Sequence, residues 1–230
     1  MTARGPLALV GGREWEEGCR DFDAALLETS GTKEVVVIPT AAAFERPELV
    51  LDAARGYFET FGATVRSVDV IHRREAEDDE PARIVADARF LYLTSGSPMH
   101  LRSVLKDSKL YAAIVEAHLG GAVLAASGAG GRILCDPMVD PRGGAYTVGL
   151  GLVNGVAFLP FRDTAPAHLI ERSIELLPAE AVLAAVDERT AMIRDALGTW
   201  RVAGAGTVSV YSGDSVKEFA QPSVIDTLKI

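Results

Sequence analysis

Short apolar runs alternate with stretches of helical period through the first half of the chain. Leu7-Ala8-Leu9-Val10, Glu34-Val35-Val36-Val37-Ile38-Pro39 and Phe90-Leu91-Tyr92-Leu93 are continuous rather than alternating, which suits strands buried on both faces of a parallel sheet. Val65 to Ile71 and Ala122 to Ala126 read as two further strands. Between them the period changes. Cys19, Phe22, Ala25 and Leu26 recur at helical spacing, so Glu16 to Leu27 is an amphipathic helix. Glu48 to Phe61 is helical with Gly62 as its cap, and Pro81 starts a helix over Ala82 to Ala88. Helical segments around His100–Leu105 and Leu110–His118 follow, the second stopped by Gly120-Gly121. This alternation predicts an α/β fold, a three-layer α/β/α sandwich with a mostly parallel, flavodoxin-like sheet. Ligands of such sheets sit at the carboxyl ends of the strands, here the loops at Gly11-Gly12, Thr94–Pro98 and Ser127–Gly131.

The pattern changes after Asp136. Asp136 to Gly144 is a turn-rich loop, Val156 to Leu159 a strand and Ala167 to Leu177 a helix. Val182–Val186, Thr190–Ile193 and Gly206–Tyr211 read as short strands, giving a hairpin-rich C-terminal portion from about residue 180. With no internal repeat, linker or low-complexity tract, residues 1–230 read as a single α/β domain.

Composition narrows the function classes. A net charge of −9 and no basic stripe argue against nucleic acid as a partner. No apolar run is long enough for a membrane span, and Met1 to Pro6 lacks the apolar core of a signal peptide. Two distant cysteines, Cys19 and Cys135, read as free thiols of a cytoplasmic protein. No His/Cys cluster has zinc spacing, and no cofactor is expected.

The chemically suggestive segment is Ala122 to Gly131. A strand delivers one serine, Ser127, onto a turn of glycine and alanine, with helix-like Arg132-Ile133-Leu134-Cys135 beyond. This is the layout of a nucleophile elbow, whose tight turn demands tiny neighbours. Ala125 and Ala129 stand where the Gly-x-Ser-x-Gly frame has glycine, so an ordinary glycine-rich strand-to-helix turn is the alternative.

Several segments together resemble the cyanophycinase and peptidase E (aspartyl dipeptidase) family of serine peptidases, which share the class I glutamine amidotransferase-like fold. They are Val10-Gly11-Gly12, Val36-Val37-Ile38-Pro39-Thr40-Ala41, Thr94-Ser95-Gly96-Ser97-Pro98 with Leu101, Gly149-Leu150-Gly151-Leu152 and Asp187-Glu188-Arg189-Thr190-Ala191. The resemblance runs from about Leu7 to Tyr211. It implies Ser127 as nucleophile and backbone N–H groups of Gly96 and Gly128 as the oxyanion hole. It also implies Glu188 as the acid that orients the base, with Asp136 or Asp140 as the peptidase E-like alternative. Asp187-Glu188 could equally be a polar hairpin turn.

Two departures stand out. The elbow reads Ser127-Gly128-Ala129-Gly130 against the family's Ser-Ala-Gly-Ala, and the family's general-base histidine falls at Phe161. Phenylalanine cannot accept a proton, and a serine hydroxyl without a base is a poor nucleophile. His72, His100, His118, His168, Lys106 and Lys109 are the substitutes to examine, His100 first because its loop should border the elbow.

Two functions follow. One is a serine hydrolase cleaving a small peptide or isopeptide amide. The other is a catalytically degraded homologue that binds a carboxylate-bearing ligand or serves as a structural subunit. A glutamine amidotransferase subunit ranks last, because the elbow has no cysteine. Arg142, Arg162 and Arg189 are candidates for binding a ligand carboxylate, and the resemblance suggests a homodimer.

Overall fold

The computed structural model describes residues 4–228; Met1–Ala3, part of the segment read above against a signal peptide, lie outside the described residues. Five parallel strands make up most of a seven-stranded sheet: β1 (Leu7–Val10), β2 (Glu34–Ile38), β3 (Thr64–Ser67), β4 (Phe90–Leu93) and β5 (Val123–Ser127). Alternate residues of the apolar runs face opposite layers. Ala8, Val10, Val35, Val37, Phe90, Tyr92, Val123 and Ala125 pack with α1 (Arg20–Ser30) and α2 (Pro47–Glu59). Leu7, Leu9, Val36, Ile38, Leu91, Leu93, Leu124 and Ala126 pack on the other face. That face is covered by α3 (Asp79–Ala86), α4 (Pro98–Leu105), α5 (Lys109–Leu119) and α6 (Ala129–Leu134). The fold is the expected three-layer arrangement around a mostly parallel sheet.

Element ends depart from the sequence reading in explicable ways. The third strand stops at Ser67 instead of reaching Ile71. The next helix starts at Asp79, with Pro81 inside its first turn, where the missing N–H costs nothing. The fourth helix begins at Pro98, because Ser97 caps it by accepting the N–H of His100 at 3.4 Å.

Beyond residue 135 the chain builds a second sheet. It contains β6 (Val156–Leu159), β7 (Val182–Val186), β10 (Thr207–Ser212) and β11 (Ser215–Ala220), with α7 (Ala167–Glu175) packed on it. Between β7 and β10 the chain returns to the main sheet as β8 (Thr190–Arg194) and β9 (Trp200–Gly204), giving the order β9-β8-β1-β5-β4-β2-β3. Strand β8 runs antiparallel to β1, pairing Ala191 with Val10, while β1 pairs Val10 with Ser127. The Asp187–Arg189 turn that enters β8 therefore lies beside the end of β1 and the elbow. Among the described residues no helix is long and apolar enough to cross a membrane.

Candidate active site

The glycine-rich segment makes a tight strand-to-helix turn whose strained residue lies one position beyond Ser127. Ser127 is the last residue of β5 and is fully buried. The strained residue between strand and helix is Gly128, at φ 47° and ψ −102°. A nucleophile elbow presents its nucleophile from that strained position, and here the position has no side chain. The small residues on both sides of Ser127 left the frame open, and only the backbone turn fixes it.

Of the two expected oxyanion donors, the Gly128 N–H is engaged within the sheet. The Gly128 N–H donates to the Val10 carbonyl at 2.9 Å, so it extends the sheet instead of facing a ligand. Gly96 lies in the neighbouring loop at φ 135°, pressed so closely against the Ala41 carbonyl that a Cβ there would collide with it.

Ser127 Oγ donates to Glu14 Oε2 at 2.7 Å, and the Ser95 N–H donates to Glu14 Oε1 at 2.8 Å. One carboxylate thus joins the loops after β1, β4 and β5. Sequence reasoning missed Glu14. The usable signal was an acid two residues past the Gly11-Gly12 pair, at the end of a strand that neighbours β5.

Phe161 follows β6 at φ 60°, and its N–H donates to the Gly11 carbonyl at 2.7 Å. Its ring lies against Gly12, where a Cβ would run into the ring, and near Gly128, whose Cβ would stand 3.1 Å from Cζ and strike Ser95 Oγ. The two glycines leave room for the ring to reach over the elbow.

Glu188 is nearly buried and fully engaged. Its carboxylate accepts from Thr164 Oγ1 at 3.0 Å and meets Arg13 Nε at 2.7 Å, while its own N–H donates to Asp163 Oδ1 at 2.9 Å. Asp187 ties β10 by accepting from the N–H and Oγ1 of Thr207 at 2.8 and 2.9 Å, and it lies 2.9 Å from Arg162 Nε. The segment is both a site-edge acid and a polar turn.

The other candidates point elsewhere. His118 is buried, with Nδ1 against the Ala122 carbonyl at 3.3 Å, and burial lowers its pKa to about 4. His100 Nε2 meets the Ile71 carbonyl at 2.9 Å. His72 and His168 are exposed, and none of the four histidines hydrogen-bonds Ser127. Lys106 and Lys109 pair with Asp107 and Asp79 at the surface. Asp136 accepts the Gly149 N–H at 3.0 Å, and Asp140 pairs with Arg142. Cys135 is a free buried thiol, held neutral by burial. Arg162 is taken up by Asp187, Glu218 and Ser209, whereas Arg189 is exposed beside the site. Among the described residues no group of three or more His, Cys, Asp or Glu side chains could hold a metal ion.

Fold and site together define an α/β protein with a tight strand–turn–helix connection at the carboxyl end of a central parallel strand. The chain belongs to peptidase family S51, whose sequence profile matches residues 7–196. It is similar to the cyanophycinases of Synechococcus elongatus and Thermosynechococcus vestitus, each 23% identical over 99% of this chain and 74% of the relative. Its fold matches a peptidase of an acI-B1 actinobacterium with a TM-score of 0.89, at 25% identity over 97% of both chains. A peptidase E protein of Listeria monocytogenes matches in fold alone, with a TM-score of 0.62 at 17% identity over 95% of this chain and 99% of that one. Family membership supports a peptidase-like function.

Proposed function

We propose that this chain is a non-hydrolytic member of its family, which binds a carboxylate-bearing, peptide-like ligand at the strand ends without cleaving it through an elbow serine. The observation that carries this reading is the pairing of Gly128 and Phe161. The strained position has no side chain to act as nucleophile, and the residue packed over it has no proton acceptor. Residual catalysis by such a site comes from binding and backbone dipoles alone. The ligand class rests on exposed Arg189, whose own N–H holds the Gly12 carbonyl at 2.9 Å, while the neighbouring Arg13 is taken up by Glu16 and Glu188.

The test is to treat the wild-type protein with a fluorophosphonate probe and with acidic dipeptides. The expected result is no covalent label and no turnover, with saturable dipeptide binding by calorimetry that Arg189→Ala weakens. Turnover at rates typical of peptidases overturns the proposal.

One observation favours a second reading. Glu14 is a carboxylate 2.7 Å from the Ser127 hydroxyl, and a carboxylate can serve as a general base. A serine peptidase using that pair would be labelled at Ser127, and Ser127→Ala would abolish both label and turnover. Complete burial of Ser127 and the second bond from Ser95 to Glu14 weigh against it, because both commit the pair to holding loops together.

A further inference from the structure

Below the loop that carries Glu14 lies a group of buried polar side chains that the elbow does not use. Asp23, on α1, is completely buried and accepts Tyr57 Oη at 3.0 Å through Oδ2. Its Oδ1 has no partner, and neither do the buried Tyr92 hydroxyl and the Trp15 Nε1. These groups are neighbours. The Trp15 ring packs 5.1 Å from Tyr92 and 6.3 Å from Phe58, and Phe58 in turn packs against Tyr57 and Tyr92. Buried polar atoms are almost always satisfied, so three orphans in one cluster mark a functional or hydrated pocket.

Backbone geometry links this cluster to the elbow. Gly12, Arg13 and Trp15 all have positive φ, at 116°, 51° and 67°. The twisted loop sends Glu14 to Ser127 and Ser95, while the next residue, Trp15, packs into the aromatic cluster with Tyr92. The seat of Trp15 therefore fixes the position of Glu14.

We propose that Asp23, Tyr57, Tyr92 and Trp15 form a buried proton-binding site, and that loss of its proton from Asp23 unseats Trp15 and releases the Glu14 clamp on Ser127. A protonated carboxyl is neutral and adds a donor, while the ionised form is a buried anion held by the Tyr57 hydroxyl. Burial raises Asp23 to about 8, the nearby Glu14 charge adds to the rise, and the Tyr57 hydrogen bond opposes it. The other groups facing the cluster are fixed in charge near neutral pH. Cys19, whose thiol contacts the Arg13 carbonyl, is pushed up to about 12 by burial, and Tyr57 and Tyr92 are raised above the ordinary tyrosine value. Arg20 lies over the Phe61 ring at the cluster's edge. Water entering to hydrate the Asp23 anion must displace its aromatic neighbours, and Trp15 is the one borne on a strained surface loop.

The chain has two tryptophans, so Trp200→Phe leaves Trp15 as the only tryptophan, excited selectively at the red edge of the absorption band. Its fluorescence and its quenching by acrylamide are followed from pH 6 to 10, with far-ultraviolet circular dichroism as the control for unfolding. The expected result is a red shift and a severalfold rise in quenching centred near pH 8, with unchanged dichroism. Asp23→Asn in the same background abolishes the transition. Tyr57→Phe, which removes the donor to the anion, moves the midpoint upward and serves if the first variant does not fold. Cys19→Ser leaves the transition in place. A flat profile, a transition that coincides with global unfolding, one that survives Asp23→Asn, one unmoved by Tyr57→Phe, or one lost with Cys19→Ser overturns the proposal.

Discussion

Glu14 and Ser127, 113 residues apart in sequence, are joined by a hydrogen bond of 2.7 Å that locks the loop after the first strand onto the end of the fifth. The same carboxylate takes the Ser95 N–H, so three loops share one acceptor. Parallel strands bring their carboxyl ends to one edge, and β1 and β5 are immediate neighbours there. The contact is a consequence of strand order.

Hydrogen bonds to charged groups are worth about 1.5–3 kcal/mol, and removing one partner leaves the other buried and unpaired. Ser127→Ala and Glu14→Ala are each expected to destabilise the protein by about 1–3 kcal/mol. The double variant should cost clearly less than the sum, as measured by urea unfolding in a double-mutant cycle. Additive effects would show that the bond contributes nothing.

Gly128→Ala puts a side chain into a left-handed conformation and against Ser95 Oγ. Strain of that kind costs on the order of 1–3 kcal/mol before the clash is counted. Ser95→Gly in the same chain should recover part of the loss. Thermal unfolding of the single and double variants checks this, and an unaffected melting temperature in Gly128→Ala would refute the strained-turn assignment.

Phe161→His alone should not create hydrolysis, because Gly128 offers no hydroxyl for an imidazole to activate. Combining it with Gly128→Ser and Ser95→Gly supplies a hydroxyl, a base and the space between them. Activated-ester hydrolysis is then expected to rise by roughly 10²-fold or more over Phe161→His. Activity in Phe161→His itself would move the nucleophile back to Ser127.

His118 supplies a pH signature far from the elbow. Its carbonyl accepts the Gly5 N–H at 2.9 Å, at the start of β1, and burial lowers its pKa from 6.5 to about 4. Between those values the unfolded chain holds more protons than the folded one, so stability falls as pH drops from about 6.5 toward 4. Asp23, raised to about 8, works in the opposite direction, since its folded form holds the extra proton and stability is lost as pH rises toward 8. Comparing wild type with His118→Gln isolates the first effect. Wild type should lose up to about 3 kcal/mol more than the variant between pH 6.5 and 4 in urea titrations. Equal losses would place the acid sensitivity elsewhere.

Much of the fold was legible because burial leaves a mark on composition. Strands covered on both faces must be apolar throughout, and Leu7–Val10, Glu34–Ile38 and Phe90–Leu93 are so, apart from the exposed Glu34 that opens the second. Ser215–Ala220 escaped notice because it is a mostly exposed edge strand with no apolar face. Trp200–Gly204 was missed for a related reason, since it carries Arg201 at an exposed position and ends in glycine.

By itself the sequence determined the layered α/β architecture and the glycine-rich turn that follows the fifth strand. Periodicity and the sizes of side chains are local properties, and they carry that much. Only the tertiary structure decided that Gly128 rather than Ser127 takes the strained turn, that Glu14 holds Ser127, and that the Phe161 ring lies over Gly12 and Gly128. Ser127, Gly128, Ala129, Gly130 and Gly131 are all small enough to pass through a tight turn, so no one-dimensional pattern selects among them. The sheet does so by pairing Val10 with Ser127 and taking the next N–H into its own ladder.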